Sequence, residues 1–177
     1  MIDDPCLLLI GPRGAGKSSV GRLAAGLSSR ELISTDQSIE TLAGTDIAHI
    51  VAEQGWDEFR RLESLVIAGL EDCRGAVIDL GGGAVLDGAN RELLGRLGRY
   101  LLLLAPPEIL AGRIHGAARR SRPSLTGVAD AEAEVRQVLA GRLELYRSLA
   151  ALEIDTSRVA VQSAAQSAIE LMNWRTS

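Results

Sequence analysis

Residues 6–18 of the chain read Cys6-Leu-Leu-Leu-Ile10-Gly11-Pro-Arg-Gly-Ala-Gly-Lys17-Ser18. From Gly11 onward they match the pattern G-x-x-x-x-G-K-[ST], whose glycines let backbone N–H groups turn toward a polyphosphate. A buried-strand pattern leads into Gly11, and a helical pattern (Val20, Leu23, Ala24, Leu27) follows Ser18. This context suits phosphate binding, because the helix N-terminus adds partial positive charge behind the loop. The stretch therefore predicts a phosphate-binding loop rather than a chance glycine-rich turn.

Lys17 is the only lysine in the chain, so every other one of its 19 Lys and Arg residues is an arginine. Such a bias makes a lysine significant at the one place that calls for a compact ammonium. We expect Lys17 to be catalytic by contacting the β- and γ-phosphates of ATP, and the Ser18 hydroxyl to ligate Mg2+. The predicted nucleotide-binding residues of the loop are Gly14, Ala15, Gly16, Lys17, Ser18 and Ser19.

Short aliphatic runs alternate with longer helical patterns along the 177 residues. The alternation predicts right-handed βαβ crossovers and a three-layer α/β/α fold with a mostly parallel sheet. The predicted strands are Cys6–Ile10, Glu31–Ser34, Ala76–Leu80, Tyr100–Ala105 and Leu152–Asp155. The predicted helices are Lys17–Leu27, Ile47–Glu53, Trp56–Glu71, Arg91–Leu97, Pro107–Ile114, Ala131–Leu149 and about Val159–Met172. No repeat or linker divides the chain, so we expect one domain over residues 1–177.

The composition restricts the partners and the compartment. A net charge of −4 gives no reason to expect nucleic acid, and no aliphatic run approaches the length of a membrane span. Cys6 and Cys73 are too few for a disulfide framework, and the isolated His49 and His115 do not indicate a metal site. No signal-peptide pattern opens the sequence. We therefore expect a cytoplasmic, monomeric protein whose partner is a small molecule.

The segment Gly116–Asp130 breaks the alternation, because it is polar, basic and punctuated by Gly and Pro. Its arginines, Arg119, Arg120 and Arg122, could belong to a merely solvated loop. A GTPase is excluded, since its base-reading N/T-K-x-D motif needs a second lysine. A small-metabolite kinase, in contrast, needs a lid that keeps water from the transferring phosphate. We therefore predict a mobile lid over 116–130, with Arg122 stabilising the charge that develops during transfer.

Three further groups of residues indicate an acidic, hydroxylated acceptor. Asp36 follows the second predicted strand, at the sheet edge where ligands bind, and can accept a hydroxyl proton there; alternatively it caps a helix. Gly81-Gly82-Gly83 follows the third strand and lets a ligand approach the backbone, or forms a tight turn. Arg60 and Arg142 lie on helical patterns, and their two guanidinium groups are suited to binding a carboxylate. Alternatively, both are ordinary surface arginines.

Taken together, these residues resemble the shikimate kinase family from about Leu7 to Thr156. The matching elements are Gly11–Ser19 (opening loop), Ser34-Thr35-Asp36 (D-T-D), Phe59–Glu63 (F-R-x-x-E), Gly81–Val85 (triple glycine), Arg122-Pro123 with Leu125 (R-P-L), Arg142–Arg147 (R-x-x-x-Y-R) and Ile154–Thr156 (last strand). Each element alone is weak. Their common order and spacing carry the resemblance.

The resemblance implies a five-stranded parallel sheet in the order 2-3-1-4-5. It also implies transfer of the γ-phosphoryl group of ATP to the 3-hydroxyl of shikimate, in aromatic amino-acid biosynthesis. By position, Asp36 would hold the hydroxyls of shikimate and act as base, while Arg60, Arg142 and the Gly82 N–H would bind its carboxylate. Arg122 would close on the ATP phosphates. The weaker candidates for adenine contact are Arg113 and Arg158.

Two positions depart from the family pattern. Ser34 stands where the first aspartate of D-T-D, which in the family organises the water around the metal, is usual, and Ser124 stands where the lid has leucine. Asp79 ends the third predicted strand, where P-loop enzymes place an aspartate that holds magnesium. We predict that Asp79 takes over this role near the metal, through a bridging water or through the Ser18 hydroxyl. The alternative is that Asp79 only accepts hydrogen bonds from the backbone or from Ser18.

Two other functions stay open on the sequence. A kinase for gluconate or nucleoside monophosphates would share the phosphate-binding loop and the lid. That function would not account for the presence of two arginines together with Asp36 and the triple glycine. A regulatory domain would bind ATP or shikimate without turnover, and Ser34 is the one hint of such degeneracy. The intact Lys17, Ser18 and Asp36 favour an enzyme.

Overall fold

Five parallel strands form a single sheet in the computed structural model, which describes residues 4–117 and 130–173. They are β1 (Cys6–Ile10), β2 (Leu32–Ser34), β3 (Val77–Asp79), β4 (Gly98–Leu104) and β5 (Ala150–Asp155). Their order across the sheet is β2-β3-β1-β4-β5, which confirms the order that the family resemblance implies. β1 lies at the centre and is buried along its whole length, as a strand covered on both faces requires.

Helices in the described part of the chain connect the strands and cover both faces of the sheet. They are α1 (Lys17–Ser28), α2 (Thr35–Ala43), α3 (Ile47–Ala68), α4 (Gly88–Leu97), α5 (Pro107–Ala117), α6 (Ala131–Leu149) and α7 (Val161–Asn173), with a short 3-10 turn at Ala84–Leu86. None of these helices is long and apolar enough to cross a membrane.

The alternation of side chains along β1 divides the core into two layers. Leu7 and Leu9 belong to a cluster that includes Val20 and Ala24 of α1 and Ala164 and Ala168 of α7. Leu8 and Ile10 belong to a second cluster, which includes Leu94 of α4 and Tyr146 of α6. A third cluster, with Ile39 and Phe59 among its members, holds α2 against α3. The predicted three-layer α/β/α architecture is therefore confirmed.

The structure corrects the sequence prediction between β2 and α3. Residues after Ser34 form the helix α2, which the sequence did not predict, and Ser34 is its N-cap, accepting a hydrogen bond from the Gln37 N–H at 3.4 Å. Asp36 therefore lies in the first turn of a helix rather than in a loop. The break predicted between Glu53 and Trp56 is present, because Gly55 adopts φ 82° and ψ 174° inside α3.

The predicted lid lies mostly outside the described residues, and so do Arg119, Arg120 and Arg122. Its first residues, Gly116 and Ala117, end α5. Its last residue, Asp130, is the N-cap of α6 and accepts hydrogen bonds from the N–H groups of Glu132 and Ala133. The assignment of residues 1–177 to one domain stays a prediction.

Candidate active site

The predicted phosphate-binding loop joins the end of β1 to the start of α1. A Cβ atom on Gly11 would collide with the backbone carbonyl of Leu103 on the neighbouring β4, so only glycine fits where the loop leaves the sheet. Gly14 and Gly16 have φ values of 77° and 89°, which glycine adopts without strain. Gly16 is the N-cap of α1, and Ala15 is fully buried behind the loop. The loop therefore has the shape that the sequence pattern requires.

The Lys17 ammonium lies over the loop rather than in solvent. Its Nζ donates hydrogen bonds to the carbonyl oxygens of Gly11 at 3.0 Å and Pro12 at 3.2 Å. A cation held in this position faces the concave backbone that would receive phosphate groups.

Asp79 ends β3 next to the loop and is only 8% exposed. The Ser18 hydroxyl donates a hydrogen bond to Asp79 Oδ2 at 2.6 Å, so the Asp79 side chain points toward the phosphate-binding loop as predicted. The Asp79 carbonyl accepts a hydrogen bond from the Thr35 hydroxyl at 3.3 Å, and that hydroxyl accepts one from the Gly81 N–H at 2.9 Å. Thr35 thus ties the start of α2 to the end of β3. Sequence reasoning missed this buried residue.

Two carboxylates meet at Gly81, on the β3 side of the loop. A Cβ atom on Gly81 would lie 3.0 Å from Asp36 Oδ1 and 2.7 Å from Glu63 Oε1, so glycine leaves room for both acids. Glu63 is 1% exposed and forms an ion pair with Arg60 one turn earlier on α3. The sequence placed Glu63 inside the F-R-x-x-E pattern without giving it a role. Its structural role is to hold the Arg60 guanidinium.

The triple glycine is clamped by α6 and by Arg60. The Gly82 carbonyl accepts hydrogen bonds from Arg142 Nη1 at 3.0 Å and from the Tyr146 hydroxyl. Burial raises the pKa of Tyr146 and Arg142 opposes this rise, so the phenol is the hydrogen-bond donor. A Cβ atom on Gly83 would overlap the Arg60 guanidinium. The absence of a side chain at Gly83 therefore leaves room for the Arg60 guanidinium, whereas Gly82 is in ordinary contact with Tyr146 and Arg142.

Arg60 and Arg142 line one cleft together with the phosphate-binding loop. The walls of this cleft are formed by Pro12, Arg13, Trp56, Phe59, Arg60, Glu63, Gly82, Gly83 and Arg142, with residues of α5 and α6. Asp36 and Gly81 are not among the residues that line this cleft, but they lie next to Glu63, which does. The structure thus brings four of the predicted acceptor residues (Arg60, Gly82, Gly83 and Arg142) into one cleft, with Asp36 and Gly81 beside it, and Pro12 and Arg13 of the loop also line this cleft.

A second cleft lies on the other side of the loop, between α1 and the chain after β5. It is lined by Gly16, Ser19, Val20, Arg113, Thr156, Val159, Val161 and Ala164. Arg113 donates hydrogen bonds to Thr156 Oγ1 at 2.8 Å and to the Gly14 carbonyl at 3.2 Å, so it braces the loop as well as lining the cleft. Arg158 is 85% exposed and pairs with Asp155 at 3.3 Å. Their predicted contacts with adenine stay predictions.

Comparison with known proteins decides the family. A family model described as "Shikimate kinase" matches residues 13–173. A shikimate kinase of Syntrophus aciditrophicus is 42% identical over 166 residues, which cover 89% of this chain and 85% of the relative. The chain belongs to the shikimate kinase family. As a member of this family it is an ATP-dependent kinase, and the recognition made from the sequence motifs is confirmed.

Solved structures agree with this assignment. The shikimate kinase from Acinetobacter baumannii in complex with shikimate superimposes with a TM-score of 0.87 at 35% identity, covering 96% of this chain and 93% of that one. A gluconokinase from Sinorhizobium meliloti covers 95% of this chain, with a TM-score of 0.58 at 15% identity. The second likeness shows a common fold alone.

Proposed function

We propose that this protein transfers the γ-phosphoryl group of ATP to the 3-hydroxyl of shikimate. The observation that carries the proposal is the cleft that Arg60 and Arg142 line together with Pro12 and Arg13 of the phosphate-binding loop. Shikimate needs a cationic site for its carboxylate and a base for its hydroxyl, both within reach of the nucleotide. The relative of known structure that contains shikimate, from Acinetobacter baumannii, has the same fold over 96% of this chain and supports this choice of acceptor.

On the nucleotide side, the loop from Gly14 to Ser19 surrounds the phosphates and the cleft at Arg113 and Val159 receives the adenine. The N–H groups at the start of α1 and the Lys17 ammonium stabilise the charge on the transferring group. Arg113 and Thr156 hold the loop in this shape before the nucleotide arrives, because both hydrogen-bond its backbone carbonyls. Pre-organised donors of this kind cost no rearrangement during the reaction.

On the acceptor side, the two arginines fix the shikimate carboxylate and Asp36 accepts the proton of the attacking hydroxyl. Arg60 can offer a fork to the substrate because Glu63 holds its other edge. Gly81 and Gly83 let the acceptor lie against bare backbone. The roles of Arg122 and of the lid, a monomeric state and a cytoplasmic location stay predictions.

The residues near Ser18 fit a magnesium ion that arrives with ATP. Ser18 and Asp79 supply hard oxygen atoms, which this ion prefers, and Mg2+ is commonly held by one or two protein groups together with substrate phosphates and water. When bound, the ion neutralises charge on the β- and γ-phosphates. Ser18 would be its ligand from the loop.

The proposal is tested by an ADP-release assay with ATP, Mg2+ and a panel of acceptors: shikimate, quinate, gluconate and nucleoside monophosphates. We expect ADP release with shikimate, and phosphorylation at the 3-hydroxyl by phosphorus NMR. Quinate is a matched control, because it is also a polyhydroxylated acid. Release with gluconate or a nucleotide but not with shikimate would refute the proposal. Shikimate and ATP binding without ADP release would instead indicate a regulatory protein.

A further inference from the structure

We propose that Asp79 is the carboxylate that orients the magnesium-ligating Ser18, and that a carboxylate at Ser34, its neighbour on β2, can substitute for it. Asp79 is thus a positioning residue for the metal–nucleotide complex. The inference rests on the proposed use of Mg2+ and ATP, but not on the identity of the acceptor.

The first support is the contact itself. The distance of 2.6 Å between Ser18 Oγ and Asp79 Oδ2 is that of a charge-assisted O–H···O⁻ hydrogen bond. A hydroxyl has one proton and two lone pairs. Because the proton of Ser18 is committed to Asp79, both lone pairs are left for a cation at the loop. A carboxamide at position 79 could offer its NH2 group to Ser18 and so turn the hydroxyl the other way.

The second support is that Asp79 is held rigidly between the two halves of the site. It is paired in register with Leu9 of β1 on one side and Ser34 of β2 on the other. The Leu80 N–H bonds the Leu9 carbonyl at 3.2 Å, and the Thr35 hydroxyl bonds the Asp79 carbonyl. The backbone at Asp79 is therefore fixed by the sheet and by Thr35, and from this position the carboxylate lies within hydrogen-bond distance of the Ser18 hydroxyl.

The third support is the register partner. Side chains of residues paired across neighbouring parallel strands leave the sheet on the same face, so the side chains at positions 34 and 79 are neighbours on one face of the sheet. The Ser34 hydroxyl is used as the N-cap of α2. Aspartate caps a helix as well as serine does. A carboxylate at position 34 would therefore keep α2 intact while placing a negative charge beside position 79.

The experiment measures how strongly the metal favours nucleotide binding, without any acceptor. Dissociation constants for ADP are determined by calorimetry with saturating Mg2+ and with chelator, and their ratio gives the metal coupling. We expect Asp79→Asn to lower this ratio at least tenfold while metal-free ADP binding stays within about twofold. The double variant Ser34→Asp/Asp79→Ser should regain most of the coupling.

The control is Ser34→Asn, which retains a capping side chain without a charge, and its coupling should equal that of the unaltered protein. If Asp79→Asn proves unstable, Asp79→Glu replaces it in the experiment. This variant keeps the charge but displaces it by one methylene group, so its metal coupling should also fall. Unchanged coupling in the Asp79 variants would overturn the inference. Loss in Asp79→Asn without recovery in the double variant would refute the equivalence of the two positions. Activity with a different acceptor would contradict only the proposed function.

Discussion

The Arg60 side chain is fixed before any substrate binds. Glu63 pairs with its guanidinium, which also lies 5.9 Å from the ring centre of Trp56 and 5.1 Å from that of Phe59. The two rings contact each other edge to face, at 5.6 Å between centres. An arginine held in this way loses little freedom on binding a carboxylate, and so more of its interaction energy goes into affinity.

We therefore expect Arg60→Ala to raise the KM for shikimate roughly 10–100-fold with a smaller effect on kcat, since a charged hydrogen bond contributes about 1.5–3 kcal/mol. Steady-state kinetics and calorimetry with shikimate measure both quantities. Arg61→Ala is the matched control, because this neighbouring arginine is 62% exposed and pairs with Glu58 on the surface of α3. Equal shikimate affinity in both variants would contradict the carboxylate role of Arg60.

Asp36, in contrast to Arg60, is expected to affect mainly kcat. Asp36→Asn keeps the size of the side chain in the first turn of α2 but removes the base, so kcat should fall about 10²–10⁴-fold. Asp46→Asn is the control, since this exposed residue is the N-cap of α3 and asparagine caps equally well. A kcat for Asp36→Asn within threefold of that of the unaltered protein would exclude Asp36 as the base.

At the scale of elements, α6 and α3 carry the acceptor half of the site through their spacing. Arg142 and Tyr146 are four residues apart on α6, so they lie on one face and reach the same Gly82 carbonyl. On α3, the break at Gly55 comes directly before Trp56, which lines the cleft. The backbone at Gly55 lies in a region that is essentially restricted to glycine.

This backbone conformation gives a stability prediction. Gly55→Ala should lower the free energy of unfolding by about 1–3 kcal/mol because the cost is conformational, although among the described residues no atom outside the adjacent backbone lies within 4 Å of the added methyl group. Gly26→Ala adds the same methyl group in equally open space, but within regular helix α1, and should stabilise the protein by about 0.5–1 kcal/mol. Urea unfolding measures both variants. A destabilising Gly55→Ala together with a stabilising Gly26→Ala would support the conformational explanation, and a stabilising Gly55→Ala would contradict it.

The elements also explain what the sequence could predict. Lys17 and Ser18 were recognisable because their pattern, strand and helix are contiguous in the chain. Helix α2 was missed because only Thr35 and Ile39 of its residues are buried, which is too little apolar surface for a helical period to be visible. The contact between Thr35 and Asp79 joins residues 44 positions apart, and the contact between Tyr146 and Gly82 joins residues 64 apart. Patterns of neighbouring residues in the sequence do not reveal contacts between residues so far apart in the chain.

At the scale of the whole molecule, the strand order separates the two substrates. The phosphate-binding loop follows the central β1. The connection that leaves β1 leads to the edge strand β2, whereas the connection that leaves the adjacent β3 passes β1 to reach β4, so the chain leaves these two neighbouring strands in opposite directions. Ligands bind at such a switch point in open α/β sheets. The acceptor side is formed by residues that follow β2 and β3 together with Arg142 of α6, whereas the nucleotide side is formed by the start of α1, Arg113 of α5 and the chain after β5.

Both tyrosines of the chain are buried in this core, which predicts sensitivity to alkali. Burial raises the pKa of Tyr100 to about 12, with Arg91 opposing, and burial also raises the pKa of Tyr146. An unfolded tyrosine titrates near 10, so above that pH the folded state binds more protons than the unfolded state. Stability should therefore be fully present below about pH 10 and fall as the pH rises toward 12.

Absorbance at 295 nm and urea unfolding between pH 8 and 12 test this prediction. Tyrosine ionisation should coincide with unfolding, and Tyr100→Phe should reduce the slope of stability against pH by up to about 1.4 kcal/mol per unit. Ionisation of both phenols near pH 10 in a protein that stays folded by circular dichroism would contradict it.

The Lys17 ammonium, held at the carbonyl groups of Gly11 and Pro12, is the only side-chain amine in the chain. A lysine-directed acylating reagent therefore has one possible side-chain target, and that target is in the nucleotide site. Mass spectrometry of a proteolytic digest should locate a single side-chain adduct, at Lys17, distinct from any adduct on a terminal α-amino group, and should show its suppression by ATP. Occupancy of the site can thus be followed by covalent labelling, without a radioactive nucleotide and without inserting a reporter group.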